Sequence, residues 1–116
     1  MTPQTTDGFM LFLMQLKGAT VLGGVAIDFD RMELSCGNHL IPATSLEFRL
    51  LRLFIDNPKR VFTREELIEA VWTKRKRVNL RTVDNFIRQL RVKFEEDPTS
   101  PIFFQTIRGS GYKFVP

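Results

Sequence analysis

At 116 residues, with 43% hydrophobic and 26% charged residues, the chain has the size and composition of one globular domain, which excludes wholesale disorder. A single cysteine, Cys36, and a single histidine, His39, exclude an internal disulfide, a cysteine-based zinc site and a histidine proton relay. Seventeen Lys and Arg against thirteen Asp and Glu give a net charge of +4, and the excess is lopsided: residues 1–58 carry four basic and six acidic groups, residues 59–116 thirteen and seven.

The chain opens with a polar stretch and then an apolar run, Phe9 to Leu16. No Lys or Arg precedes that run and no cleavage site follows, so it does not read as a signal peptide. It is far short of the ~20 apolar residues that span a membrane. Residues 1–18 are therefore expected to be an ordered tail or the remnant of a linker, and residues 19–116 a single domain. Between Ala19 and Ile41, short apolar runs are separated by Gly23-Gly24, Asp28 to Arg31 and Gly37-Asn38, the pattern of a small antiparallel sheet. His39 falls at a strand edge and Cys36 at a strand end, and for each a structural role outweighs a chemical one.

Three helices follow, each with a start signal. Thr44-Ser45-Leu46-Glu47 is a capping box, after which Phe48, Leu51 and Ile55 share a face widened by Leu50 and Phe54. Asn57-Pro58 stops that helix. Thr63-Arg64-Glu65-Glu66 is a second capping box, opening a short helix with Leu67, Ile68 and Val71 inward. Asn79 caps a third helix, with Val83, Ile87, Leu90 and Phe94 at helical spacing up to Asp97-Pro98. The only clustered acidic groups, Glu65-Glu66 and Glu95-Glu96-Asp97, read as surface charge at helix ends, which leaves little for acid–base chemistry. Two alternating runs, Phe104 to Ile107 and Tyr112 to Val115, flank Arg108-Gly109-Ser110-Gly111 and form a hairpin. Most of its aromatic residues Phe103, Phe104, Tyr112 and Phe114 suit core packing better than base stacking.

The third helix carries the functional signal. On a wheel of 100° per residue, its apolar stripe lies within about 40° of Val83. Arg81, Asn85, Arg88, Gln89 and Val92 fall roughly 140° to 240° away, on the opposite side. An ordinary solvent face mixes Glu with Lys, whereas this one has no carboxylate. Asn and Gln match adenine, Arg matches guanine, and a small apolar group matches the thymine methyl in a major groove. Arg91, Lys93 and the edge of Phe86 flank the face, where phosphates would run. From Trp72 to Lys93 eight basic residues meet one acid, Asp84. Such a field suits a polyanionic partner, nucleic acid ahead of an anionic membrane. Lys74-Arg75-Lys76-Arg77 lie in the connection before this helix. Phosphate contact, a charged flexible loop and a protein-docking surface all fit them. Arg108 at the hairpin tip suits insertion into a narrow minor groove, Gly109 permits close backbone approach, and Thr106 lies on the approaching strand.

These residues resemble the winged helix-turn-helix effector domain of OmpR/PhoB-type response regulators. The matching text is Thr44-Ser45-Leu46-Glu47-Phe48, Thr63-Arg64-Glu65-Glu66-Leu67, Val71-Trp72, Arg81-Thr82-Val83-Asp84, Leu90-Arg91 and Gln105 to Phe114. The resemblance runs from about Val21 to Pro116. It implies an α+β fold with an N-terminal four-stranded antiparallel sheet, a three-helix core and a C-terminal β-hairpin wing. It implies a bacterial, cytoplasmic, non-enzymatic regulator of transcription without cofactor or metal. Its DNA-binding set would be Arg81, Thr82, Asn85, Phe86, Arg88, Gln89, Arg91, Val92, Lys93, Thr106, Arg108 and Gly109. The expected partners are double-stranded DNA, as direct repeats bound by a head-to-tail pair, and RNA polymerase at the loop from Thr73 to Val78. Departures from the family are Asn85 in place of a small apolar residue, Phe86 in place of histidine, and Thr73 in place of glycine. The loop after Thr73 is also more basic than usual, which favours DNA backbone contact over polymerase. The length leaves no room for a receiver domain, so either an excised effector domain or a free-standing regulator is expected. The alternative reading is a winged-helix protein-interaction module with only non-specific DNA affinity.

Overall fold

Antiparallel pairing dominates the first part of the chain and helix packing the second, as a computed structural model describing residues 19–72 and 78–116 shows. The expected tail at residues 1–18 and the basic loop Lys74–Arg77 lie outside the described residues. Two units are distinguished, one ending at Thr44 and the other beginning at Ser45.

The first unit is a meander of four strands, β1 (Ala19–Leu22), β2 (Val25–Asp28), β3 (Glu33–Cys36) and β4 (His39–Ile41), in the order β1-β2-β3-β4. The β1–β2 turn is Gly23-Gly24, where both residues take positive φ (58° and 80°), the backbone of a two-residue hairpin loop that glycine adopts without strain. Ile27 and Leu34, cross-strand partners in the β2–β3 pairing, are fully buried. Cys36 and His39 face each other at the exposed end of the β3–β4 ladder, Cys36 at the end of its strand and His39 on the edge strand of the sheet.

The second unit holds three helices, α1 (Ser45–Asp56), α2 (Arg64–Val71) and α3 (Leu80–Phe94). Phe48, Leu50, Leu51 and Phe54 of α1 are buried, while Ile55 is only half-buried at the edge of the apolar face. Asn57 closes α1 by donating its side-chain amide to the Leu53 carbonyl at 2.9 Å. Both halves of the Thr63 capping box form: the Glu66 N–H donates to Thr63 Oγ1 (3.0 Å) and the Thr63 N–H to Glu66 Oε1 (2.9 Å). Leu67 and Val71 turn inward from α2, with Ile68 again half-buried. Arg49 satisfies the far end of α2 by donating to the Val71 carbonyl at 3.2 Å. Asn79 caps α3 by accepting from the Thr82 N–H at 3.0 Å. Val83, Ile87, Leu90 and Phe94 form the buried stripe.

The C-terminal element is more than a hairpin. Strands β6 (Phe104–Ile107) and β7 (Gly111–Phe114) are joined by β5 (Val61–Phe62), giving a three-stranded sheet in the order β5-β7-β6. Two residues between a helix end and a capping box carry no alternation to read, so β5 is defined by pairing with β7 and not by its own sequence. Phe104 sits at the centre of the core, with its ring 5.9 Å from Phe54, 6.0 Å from Phe94 and 5.3 Å from Phe114. Phe104, Tyr112 and Phe114 are all buried, as core packing requires.

Glu95 departs from the sequence expectation. It does not belong with the surface charge at the end of α3. It is 7% exposed, and its carboxylate accepts from the backbone N–H groups of Ile102 (2.9 Å), Phe103 (2.9 Å) and Phe104 (2.8 Å). The chain returning from α3 would otherwise leave these donors without partners. Glu95→Ala is therefore expected to lower the unfolding free energy by about 3 kcal/mol. Glu96→Ala, at the exposed neighbour, changes it by less than about 0.5 kcal/mol. Urea unfolding of the two variants measures the difference.

Candidate nucleic-acid interface

Two elements of the second unit carry the candidate site, α3 and the turn between β6 and β7. Because the apolar stripe of α3 faces the core, helical geometry turns the opposite side outward. Arg81, Asn85, Arg88, Gln89 and Val92 are all exposed on that side, Val92 to 59%. Arg88 Nη2 donates to Asn85 Oδ1 at 3.2 Å, a contact that uses neither the amide donors of Asn85 nor the rest of the Arg88 donor fork. Thr82 is half-buried and its hydroxyl is within 3.3 Å of Asn79 Oδ1, which makes it part of the cap.

The three flanking residues are placed differently from the exposed set. Phe86 is half-buried with its ring edge-on to Trp72, centroids 5.0 Å apart. Arg91 and Lys93 lie about 80° to either side of the stripe, nearer the core than the outward face, and both turn inward. Lys93 Nζ pairs with Glu47 Oε2 at 3.1 Å, with the two side chains only 13% and 8% exposed. Arg91 Nε donates to the Phe104 carbonyl at 2.9 Å and its Nη2 to Thr106 Oγ1 at 2.8 Å.

The turn is built so that its tip projects. The Ser110 N–H donates to the Ile107 carbonyl at 2.8 Å, closing the loop around exposed Arg108 and Gly109. Gly111, at φ 144°, lies directly against the backbone of β5, and a Cβ there would collide with the Phe62 carbonyl. Thr106 is exposed on β6 one step before the tip. A cleft of about 310 Å³ separates the tip from Leu80 and the first turn of α2.

Sequence reasoning missed what ties these parts together. Asp84, the one acid of the basic stretch, accepts from Arg64 Nε of α2 (2.8 Å) and from the Tyr112 hydroxyl of β7 (2.6 Å). Its signal was its isolation among eight cations, but the partners are 20 and 28 residues away. Among the described residues no cluster of His, Cys, Asp and Glu could hold a metal ion. No helix among them is long and apolar enough to cross a membrane.

A helix-turn-helix pair followed by a wing, with an outward face of Arg, Asn and Gln, defines a winged-helix domain of the DNA-binding class. Residues 37–114 match the family described as transcriptional regulatory protein, C terminal. The chain belongs to that family, in its OmpR/PhoB response-regulator form, a family of transcription factors and not of enzymes. It is 39% identical over 95 residues to the DNA-binding response regulator MtrA of Mycolicibacterium smegmatis, covering 82% of this chain and 42% of that protein. The chain thus spans less than half the length of the curated relatives it matches. The response regulator DrrB of Thermotoga maritima, an OmpR/PhoB homologue, superposes with a TM-score of 0.74 at 30% identity, over 97% of this chain and 50% of that one. The DNA-binding domain of response regulator AdeR, solved in complex with an intercistronic region, gives 0.65 at 29% identity, over 83% of this chain and 98% of that one.

Burial, followed by the hydrogen bond and negative charge of Asp84, raises the pKa of the Tyr112 phenol, against a smaller lowering by Arg64. Since the folded value exceeds the unfolded one, this contribution to stability is complete below the unfolded phenol value and is lost as pH rises through the folded one. Tyr112 is the only tyrosine, so tyrosinate absorbance reports it alone. Its midpoint is expected above the ordinary phenol value, and Asp84→Asn should move it part of the way back.

Proposed function

We propose that residues 19–116 bind double-stranded DNA sequence-specifically, with α3 in the major groove and the β6–β7 turn in the minor groove, and so control transcription. The observation that carries this reading is the outward face of α3: Arg81, Asn85, Arg88, Gln89 and Val92 are all exposed and carboxylate-free. These side chains have the donor, acceptor and apolar character of base-edge readers. The projecting Arg108 beside Gly109 supplies a minor-groove contact. Family membership supports the same conclusion, as does the DNA-bound state of the AdeR domain.

Within this reading, two copies bind head to tail on direct repeats in the bacterial cytoplasm. The loop Lys74–Arg77 follows the DNA backbone, where four consecutive cations lower their mutual repulsion against phosphates. That use of the loop takes precedence over contact with RNA polymerase because of the charge density.

Selection from a random duplex library by the intact chain tests the proposal. An enriched pair of repeats about one helical turn apart is expected. Weak, sequence-blind binding that collapses as salt rises would instead indicate a protein-interaction module. On the selected duplex, Gln89→Ala and Arg108→Ala are each expected to weaken binding by about 1–3 kcal/mol. Equal losses on random duplex would reduce them to phosphate contacts. Lys74→Ala and Lys76→Ala should weaken all sequences alike and lower the salt slope by about one unit each.

A further inference from the structure

Arg91 has the charge and helix position of a phosphate contact, yet two of its five N–H donors are engaged by the wing strand of its own chain. It donates to the Phe104 carbonyl and to Thr106 Oγ1, both on β6, and lies over the Tyr112 ring of β7 at 5.7 Å. Thr106 and Tyr112 are cross-strand partners, so Arg91 grips both strands at one rung of the ladder. The next rung, Ile107 opposite Gly111, is the last before the turn that carries Arg108. Tyr112 is also held from the other end of α3, where its hydroxyl donates to Asp84. Asp84 and Arg91 are seven residues apart, two turns along one side of the helix and about 10 Å along its axis. A rigid rod attached at two separated points cannot pivot at either.

We propose that Arg91 is a positioning residue that locks the angle between α3 and the wing, so that one docking geometry satisfies both grooves. Its planar fork is the feature that matters, because two donors must reach two acceptors on one strand while the group's centre stays over an aromatic ring. A lysine has the charge but not the fork. Arg91 therefore acts on DNA through Arg108, by holding the wing that presents it, and makes no phosphate contact of its own.

The inference rests on the DNA-binding reading, and the wild-type chain separates the two: absence of sequence preference in the wild type overturns both. With a specific wild type, four variants are compared on the selected duplex over a range of salt: Arg91→Ala, Arg91→Lys, Arg108→Ala and the Arg91→Ala/Arg108→Ala pair. Arg91→Ala is expected to weaken specific binding about tenfold and to change the salt slope by less than about half a unit. It should relax base preference only at the positions under the wing. Arg91→Lys, which keeps the charge and spares folding, should be as defective as Arg91→Ala. The double variant should bind about as weakly as Arg108→Ala alone, since a misplaced wing has nothing further to lose. Recovery of wild-type affinity by Arg91→Lys, a slope lower by about one unit in Arg91→Ala, or losses that multiply in the double variant would overturn the proposal and return Arg91 to the phosphate backbone.

Discussion

The carboxylate of Glu95 stands where the third helix ends and the path to the wing begins, and the second unit is organised around it. Where the chain returns from the end of the helix toward the core, backbone donors of the returning segment need acceptors, the one at Phe104 in a buried setting. Glu95 collects three of them at 2.8–2.9 Å, and in doing so sets the start of β6. That start seats Phe104 between Phe54, Phe94 and Phe114, and the position of Phe104 brings its carbonyl and Thr106 within reach of Arg91. Hydrogen bonding, aromatic packing and the link between helix and wing thus form a sequence of dependencies in which each step fixes the next.

Charge is partitioned along α3 by angle. At the rim of the core, about 80° from its centre, the cations meet acids or carbonyls: Lys93 on Glu47, Arg91 on Phe104 and Thr106. On the far side Arg81, Arg88 and their amide neighbours meet solvent. One helix thereby separates cations that hold the protein together from cations available to a polyanion. A count of basic residues does not distinguish the two groups.

That partition explains how much of the molecule could be read from its sequence. Features defined by neighbours along the chain were legible: the Thr63 and Asn79 caps, the Val83–Phe94 stripe and the alternation of β6 and β7 all followed from local stereochemistry. The exposed face of α3 was legible for the same reason, since the wheel needs only the helix. Features defined across the chain were not. Val61-Phe62 becomes a strand only because β7 lies beside it, Glu95 is buried only because the chain returns over it, and Asp84 acquires Tyr112 from 28 residues away. Arg91 and Lys93 sat near the boundary between the two faces, where a wheel angle alone leaves the direction of a long side chain open. Tertiary partners within reach then drew both inward.

Gly111 has a consequence for how such a domain diversifies. Its missing side chain lets β7 lie flush against the Phe62 carbonyl, so the sheet is sealed at that residue. Everything between Ile107 and Gly111 lies outside the seal, held by a single backbone bond from Ser110 to Ile107. The tip is in effect an interchangeable cassette on a fixed mount: its length and side chains can be rewritten without repacking the interior, provided that the glycine at its base is kept.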